Sequence, residues 1–138
     1  MAENQVEGRP GVSRIAIVDD DPTIVQMLSD ILTDEGYEVA TATQSLRAFD
    51  RAKEAQPDLI LMDIMMPYLD GLDQIKLFSL DDDLKDVPII VITAKARALD
   101  PLGSEDLKAL RIVDYLYKPF EIADLLAKIK QALGAKAP

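Results

Sequence analysis

Three aspartates stand where apolar segments end. Asp63 closes the run Leu59-Ile60-Leu61-Met62, and Asp19 and Asp20 close Ile15-Ala16-Ile17-Val18. A short apolar run that stops on a carboxylate and then enters a turn (Pro67, Asp70 and Gly71 follow Asp63) reads as a buried strand with an acid at the rim of its sheet. If the two strands are parallel neighbours, three carboxylates meet at one place. Like charges that close oppose one another's ionisation and call for a cation between them. An all-oxygen ligand set suits Mg²⁺, and a divalent cation beside a spare carboxylate is the arrangement of a phosphoryl-transfer site.

Two more polar residues have the same placement. Thr93 ends Ile89-Ile90-Val91-Ile92, and Lys118 ends Ile112–Tyr117. Taken singly, each has a bland explanation. An acid after a strand is about as often only a helix cap, a threonine there is usually a turn residue, a lone lysine is usually solvated, and Lys-Pro is usually a bend. Their joint occurrence shifts the balance. A carboxylate can attack phosphorus and form an aspartyl phosphate, which assigns Asp63 as nucleophile and Asp19 and Asp20 as metal ligands. The negative charge of the phosphoryl group needs donors and cations. Thr93 offers a hydroxyl and Lys118 an ammonium.

These residues must be carried by elements that bring them to one edge. The pattern predicts a strand over Arg14–Val18 and then a helix capped by Asp20 or Asp21, with Pro22 in its first turn. Ile24, Met27, Leu28, Ile31 and Leu32 form one apolar face, and Gly36 ends the helix. A strand is expected over Tyr37–Ala42, a helix over about Gln44–Ala55, and the strand Leu59–Met62 after Pro57. Leu72–Leu80 fits a third helix, followed by the acidic loop Asp81-Asp82-Asp83. Pro88 opens the fourth strand. Ser104 is the expected cap of a short fourth helix to Leu110. Ile112–Tyr117 is the fifth strand. Glu121–Leu133 is the last helix, with Ile122, Leu125, Leu126, Ile129 and Leu133 on one face. Five strand–helix repeats with short connections and little alternation in the strands predict an α/β fold. It is a doubly wound five-stranded parallel sheet with five helices on both faces. In such sheets ligands bind at the carboxyl ends of the strands. Residues 1–13 are expected to form a flexible leader, 14–133 one domain and 134–138 a tail.

Composition narrows the function. The 138 residues are 49% hydrophobic, enough for one domain with one core. With 25 acidic and 15 basic residues the net charge is −10, which disfavours contact between this segment and nucleic acid or an anionic membrane. Cysteine and histidine are both absent, so disulfides, thiolate sites, serine–histidine catalysis and a phosphohistidine on this chain are excluded. No signal peptide or spanning segment is evident, and cytoplasmic residence is the expectation. Asp81–Asp83 reads as a solvated loop rather than a second metal cage, and Met62, Met65 and Met66 as packing rather than copper ligands.

The stretches Ile17-Val18-Asp19-Asp20-Asp21-Pro22, Leu59–Pro67 with Asp70-Gly71, Val91-Ile92-Thr93-Ala94 and Asp114–Phe120 together resemble a response-regulator receiver domain of two-component signalling, of the chemotaxis-receiver kind. The resemblance covers nearly all of residues 14–133. It implies the flavodoxin-like strand order 2-1-3-4-5. It also implies that Asp63 accepts a phosphoryl group from a histidine kinase or histidine phosphotransfer protein. Asp20 and Asp63 would ligate Mg²⁺ directly, with the Met65 backbone carbonyl, and Asp19 through water. Thr93 would swing toward the phosphoryl group and Tyr115 would turn inward as the switch aromatic. Output to a downstream protein, or homodimerisation on activation, would use the face made by the fourth helix, fifth strand and fifth helix. The Lys118-Pro119 bond is often cis in the family. The chain departs from the family where Leu110-Arg111-Ile112-Val113 replaces a frequent Gly-Ala pair, and where Lys95–Gly103 is slightly long. Both changes lie on the output face.

The rival enzyme reading is a haloacid-dehalogenase-type phosphohydrolase, because Asp19-Asp20-Asp21-Pro22-Thr23 also fits an Asp-x-Asp-x-Thr motif. That family places further metal-binding acids after its lysine, and no acid pair ends a strand after Lys118. The expected role is signalling, with catalysis limited to the domain's own phosphorylation and dephosphorylation. It would serve as a stand-alone receiver or as the N-terminal part of a longer regulator.

Overall fold

The computed structural model describes residues 11–44, 47–66, 69–95 and 97–134. Its elements are β1 (Arg14–Val18), α1 (Pro22–Asp34), β2 (Glu38–Ala42), α2 (Ala48–Ala55), β3 (Leu59–Asp63), β4 (Met65–Met66), β5 (Leu69–Asp70), α3 (Gly71–Leu80), β6 (Ile89–Thr93), α4 (Ser104–Ala109), β7 (Ile112–Tyr117) and α5 (Ile122–Leu133). The main sheet is parallel, in the order β2-β1-β3-β6-β7. Counted over these five strands alone, that is the order 2-1-3-4-5. The order reverses at β1 and β3, and the carboxyl ends of strands at such a reversal are where ligands bind in open α/β sheets.

Both faces of the sheet are covered, which is why its central strands are apolar without alternation. One face buries Ala16, Val18, Ile60, Met62 and Val91 with Ala48, Ala52, Ile75 and Phe78 of α2 and α3. The other buries Ile15, Ile17, Leu59, Leu61, Ile90 and Ile92 with Leu28 and Leu32 of α1 and Leu125 and Ile129 of α5. In register, Ile15 pairs with Leu59 and Val18 with Met62. Asp19 and Asp63, each one residue farther along, therefore emerge side by side.

Local chemistry sets the element ends. Of the two candidate caps of α1, Asp21 does the work: it accepts from the Thr23 N–H at 2.9 Å and Pro22 opens the helix. Gly36 follows the helix at φ +97°, a conformation that side chains with a Cβ resist. Several expectations need correction. The helix α2 begins at Ala48, not near Gln44; Ser45 and Leu46 lie outside the described residues. The fourth helix is capped by Gly103 rather than Ser104, because the Asp106 carboxylate reaches back to accept the Gly103 N–H at 3.0 Å. Ser13, assigned to the leader, is buried, and its carbonyl accepts the Glu38 N–H at 3.0 Å. The ordered fold therefore reaches at least one residue earlier than Arg14. Residues 1–10 and 135–138 of the expected leader and tail lie outside the described residues.

One irregularity shapes the far side of the sheet. The register of β7 on β6 slips between Ile89, which pairs with Ile112, and Ile90, which pairs with Asp114. Val113 is the extra residue of this bulge. As a result Ile112 packs in the α2–α3 layer, while Leu116, four residues on, packs in the α1–α5 layer.

Candidate functional site

The carboxyl edge of the sheet gathers the acids as expected. One oxygen each from Asp19, Asp20 and Asp63 lies within 4.8 Å of the others. Asp19 and Asp63 are buried, at 3% and 6% exposure, while Asp20 is the more open of the three. Asp19 is anchored at its backbone by the Ala42 carbonyl, at 3.1 Å, and its Oδ1 accepts the Asp21 N–H at 3.0 Å. The Oδ1 of Asp63 accepts the Met65 N–H at 2.8 Å.

Lys118 reaches this cluster from the end of β7. Its ammonium donates to Asp19 Oδ2 at 2.7 Å and to Asp63 Oδ2 at 3.0 Å. The Lys118 N–H bonds the Thr93 carbonyl at 2.8 Å, which fixes the root of the side chain. The Lys118-Pro119 bond is cis. Burial pushes the Asp19 carboxyl above its ordinary range, more than the Lys118 hydrogen bond pulls it down. Burial also works against the Lys118 charge, but its hydrogen bonds to Asp19 and Asp63, with their negative charge, outweigh it and hold the ammonium above its usual value. One ammonium stands against three carboxylates. An excess of negative charge remains, and Asp20 takes no hydrogen bond or ion pair among the described residues. A set of hard oxygen donors with uncompensated charge and an open side fits a small divalent cation that keeps some of its water.

Thr93 is 1% exposed, and its Oγ1 accepts the Lys95 N–H at 3.2 Å. Tyr115 points outward at 46% exposure, with its ring 5.2 Å from that of Tyr117. The structure thus brings Asp19, Asp63 and Lys118 into contact with Asp20 close by, places Thr93 at the same edge, and leaves Tyr115 on the outer face.

Three features of the site escape a reading of the sequence. The Met65 N–H on Asp63 is one; the family resemblance points only to the Met65 carbonyl. The ribbon of β4 and β5, pairing Met65 with Asp70 and Met66 with Leu69, is too short to leave a pattern. The third is the reason for Gly71. A Cβ there would lie 2.3 Å from the Ile64 Cα, so only glycine lets α3 start against the residue that follows Asp63. The Gly71 N–H closes this contact on the Ile64 carbonyl at 3.2 Å.

Comparison with known proteins decides the family. Residues 15–130 match the profile of the response regulator receiver domain. The chain belongs to that family. A DNA-binding response regulator, MtrA of Mycolicibacterium smegmatis, is 36% identical over 121 residues, covering 87% of this chain and 50% of that protein. This receiver therefore spans about half the length of the curated relatives it matches. Among solved structures, the chemotaxis protein CheY4 of Vibrio cholerae superposes with a TM-score of 0.77 at 30% identity, covering 88% of this receiver and 98% of that chain. The receiver domain of a sensor histidine kinase from Pseudomonas aeruginosa, a structure with a magnesium ion coordinated in its active-site cleft, gives 0.76 at 30% identity, covering 90% and 99%. The strand order that the resemblance implied is the order observed, and the receiver family is one of signalling domains rather than phosphohydrolases. Among the described residues no helix is long and apolar enough to cross a membrane.

Proposed function

We propose that this receiver accepts a phosphoryl group on Asp63 from a phosphohistidine of a histidine kinase or phosphotransfer protein. A carboxylate oxygen of Asp63 forms the new P–O bond as the donor's P–N bond breaks, and the electron pair returns to the imidazole. The carrying observation is the buried Asp63 carboxylate, bridged to Lys118 and within reach of Asp19 and Asp20 at one sheet edge. Asp20 and Asp63 would hold Mg²⁺ with the Met65 carbonyl, and Asp19 through water. The ion, when bound, neutralises charge on the phosphoryl oxygens. Lys118 keeps its proton and offers a fixed positive charge to one phosphoryl oxygen, and Thr93 turns its hydroxyl toward another. Tyr115 follows Thr93 inward, and the α4–β7–α5 face changes shape for a downstream protein or a second copy of the domain.

The domain, spanning 14–133 with Ser13 at its edge, would do this alone or as the N-terminal half of a longer regulator of the DNA-binding kind. With its net charge of −10, the receiver itself is not proposed to touch DNA. A cytoplasmic site of action accords with a kinase-borne donor. The test is incubation with acetyl phosphate with and without Mg²⁺, for the wild type and Asp63→Asn. Mg²⁺-dependent label on the wild type and none on the variant is expected. Equal labelling of Asp63→Asn would remove Asp63 as acceptor.

A further inference from the structure

Tyr117 occupies a position that the reading above leaves without a role. Beyond the bulge at Val113, the register pairs Val91 with Tyr115 and Thr93 with Tyr117. Neighbouring strands of a pleated sheet are in phase, so paired residues project to the same face. Val91 belongs to the α2–α3 core layer. Asp114, paired with Ile90 of the α1–α5 layer, lies on the opposite face and accepts from Lys128 of α5 at 2.9 Å. Thr93, Tyr115 and Tyr117 therefore share the α4 side, with Tyr117 directly beside Thr93 and outside it.

Two hydroxyls on that side hold the segment leading from β6 to α4. The Thr93 hydroxyl accepts the Lys95 N–H at 3.2 Å, and the Tyr117 hydroxyl accepts the Arg97 N–H at 3.3 Å. Arg97 stands at φ +67°, a backbone conformation that a β-carbon disfavours and that persists only when surrounding contacts hold it. If Thr93 turns to a phosphoryl oxygen, its grip on Lys95 is given up. The Tyr117 bond to Arg97 then remains as a polar hold on the segment, beside the packing of Ala98, Leu99 and Leu102 on the core. The Tyr117 ring, 5.2 Å from that of Tyr115 and tilted by 49°, also backs the outward position of Tyr115.

We propose that Tyr117 is a positioning residue of the switch: its hydroxyl latches the β6–α4 segment in the resting state and so sets how readily Thr93 moves. This rests on Asp63 as phosphoacceptor and Thr93 as the mobile hydroxyl. A two-state equilibrium shifts by the free energy of the contact removed from one state. One modest hydrogen bond corresponds to roughly a two- to ten-fold change. Tyr117→Phe should therefore bind beryllium fluoride two- to ten-fold more tightly at saturating Mg²⁺, followed by amide NMR. Its affinity for Mg²⁺ alone should match the wild type, and without the fluoride its melting temperature should fall by at most a few degrees, the loss of one hydrogen bond from the resting state; a merely structural residue would weaken Mg²⁺ and fluoride binding together. In a Thr93→Ala background the same substitution should change nothing, because the coupling runs through Thr93. Equal or weaker binding by Tyr117→Phe, or the same gain in the Thr93→Ala background, overturns the latch while leaving the phosphoacceptor assignment intact. A wild type that takes up no beryllium fluoride overturns the phosphoacceptor assignment itself, and the latch with it.

Discussion

The carboxyl ends of β1, β3 and β6 and the outer face of β7 belong to one sheet, yet they are held in opposite ways. At the first, Asp19, Asp63 and Thr93 are at most 6% exposed, and the Lys118 ammonium bridges two carboxylates at 3.0 Å or less. At the second, Val113, Tyr115 and Tyr117 are 40–46% exposed, α4 has no buried residue, and Arg97 and Arg111 adopt positive φ. The difference matches the proposed division between chemistry and signalling. Transfer of a charged group requires donors fixed before it arrives, whereas a switch must be drawn from weakly held structure. The Val113 bulge joins the two regimes, because it turns Tyr115 and Tyr117 to the face that Thr93 occupies.

That contrast can be broken at several points. The largest effect is expected at Lys118. Lys118→Met should slow acetyl-phosphate labelling by on the order of 10²–10³-fold, the scale of losing a fixed charge at a reacting group. Tyr115→Ala should leave the labelling rate within about five-fold of the wild type, a gap of the size that separates chemistry from gating. If both variants label equally slowly, the two regions are not separable. Gly71→Ala comes next, since its Cβ must displace the Ile64 backbone beside Asp63. A loss of about 2–3 kcal/mol in urea unfolding is expected, in the range for overpacking. An unchanged midpoint would show that α3 can retreat freely.

Asp19→Asn should have a smaller effect of opposite sign. Burial opposes ionisation of Asp19, and removing one of three crowded carboxylates should stabilise the metal-free protein by about 1 kcal/mol. Melting in EDTA measures this, and a less stable variant would show that the bond to Lys118 outweighs the crowding. The smallest effect is expected at Arg111, where φ is +62° in the place the family often gives to glycine. Arg111→Gly should stabilise by up to about 1 kcal/mol by relieving the left-handed conformation, read from urea midpoints. A loss would mean that the guanidinium contact with the Asp86 carbonyl, at 3.3 Å, matters more than the backbone.

Much of the acid edge was legible because its signal is local. Each of Asp19, Asp63, Thr93 and Lys118 ends an apolar strand, and parallel order does the rest. The switch face was not legible in the same way. A one-residue slip at Val113 reverses which side chains face outward, and nothing in Ile112–Tyr117 marks the slip. Tyr117 reads as an ordinary strand residue because the proposed latch depends on a backbone N–H twenty positions away. The α2 boundary failed for a simpler reason. Gln44–Arg47 carries helix-compatible side chains, and only the packing of Ala48 and Ala52 against the sheet locates the first turn.

The central claim is that one carboxylate, Asp63, carries the signal. The direct measurement is to label the protein with acetyl phosphate and Mg²⁺, reduce the acyl phosphate with borohydride, and locate the altered aspartate by tandem mass spectrometry. Modification at Asp63 alone is the result expected. Modification at Asp19, Asp20 or elsewhere, with Asp63 untouched, would contradict it.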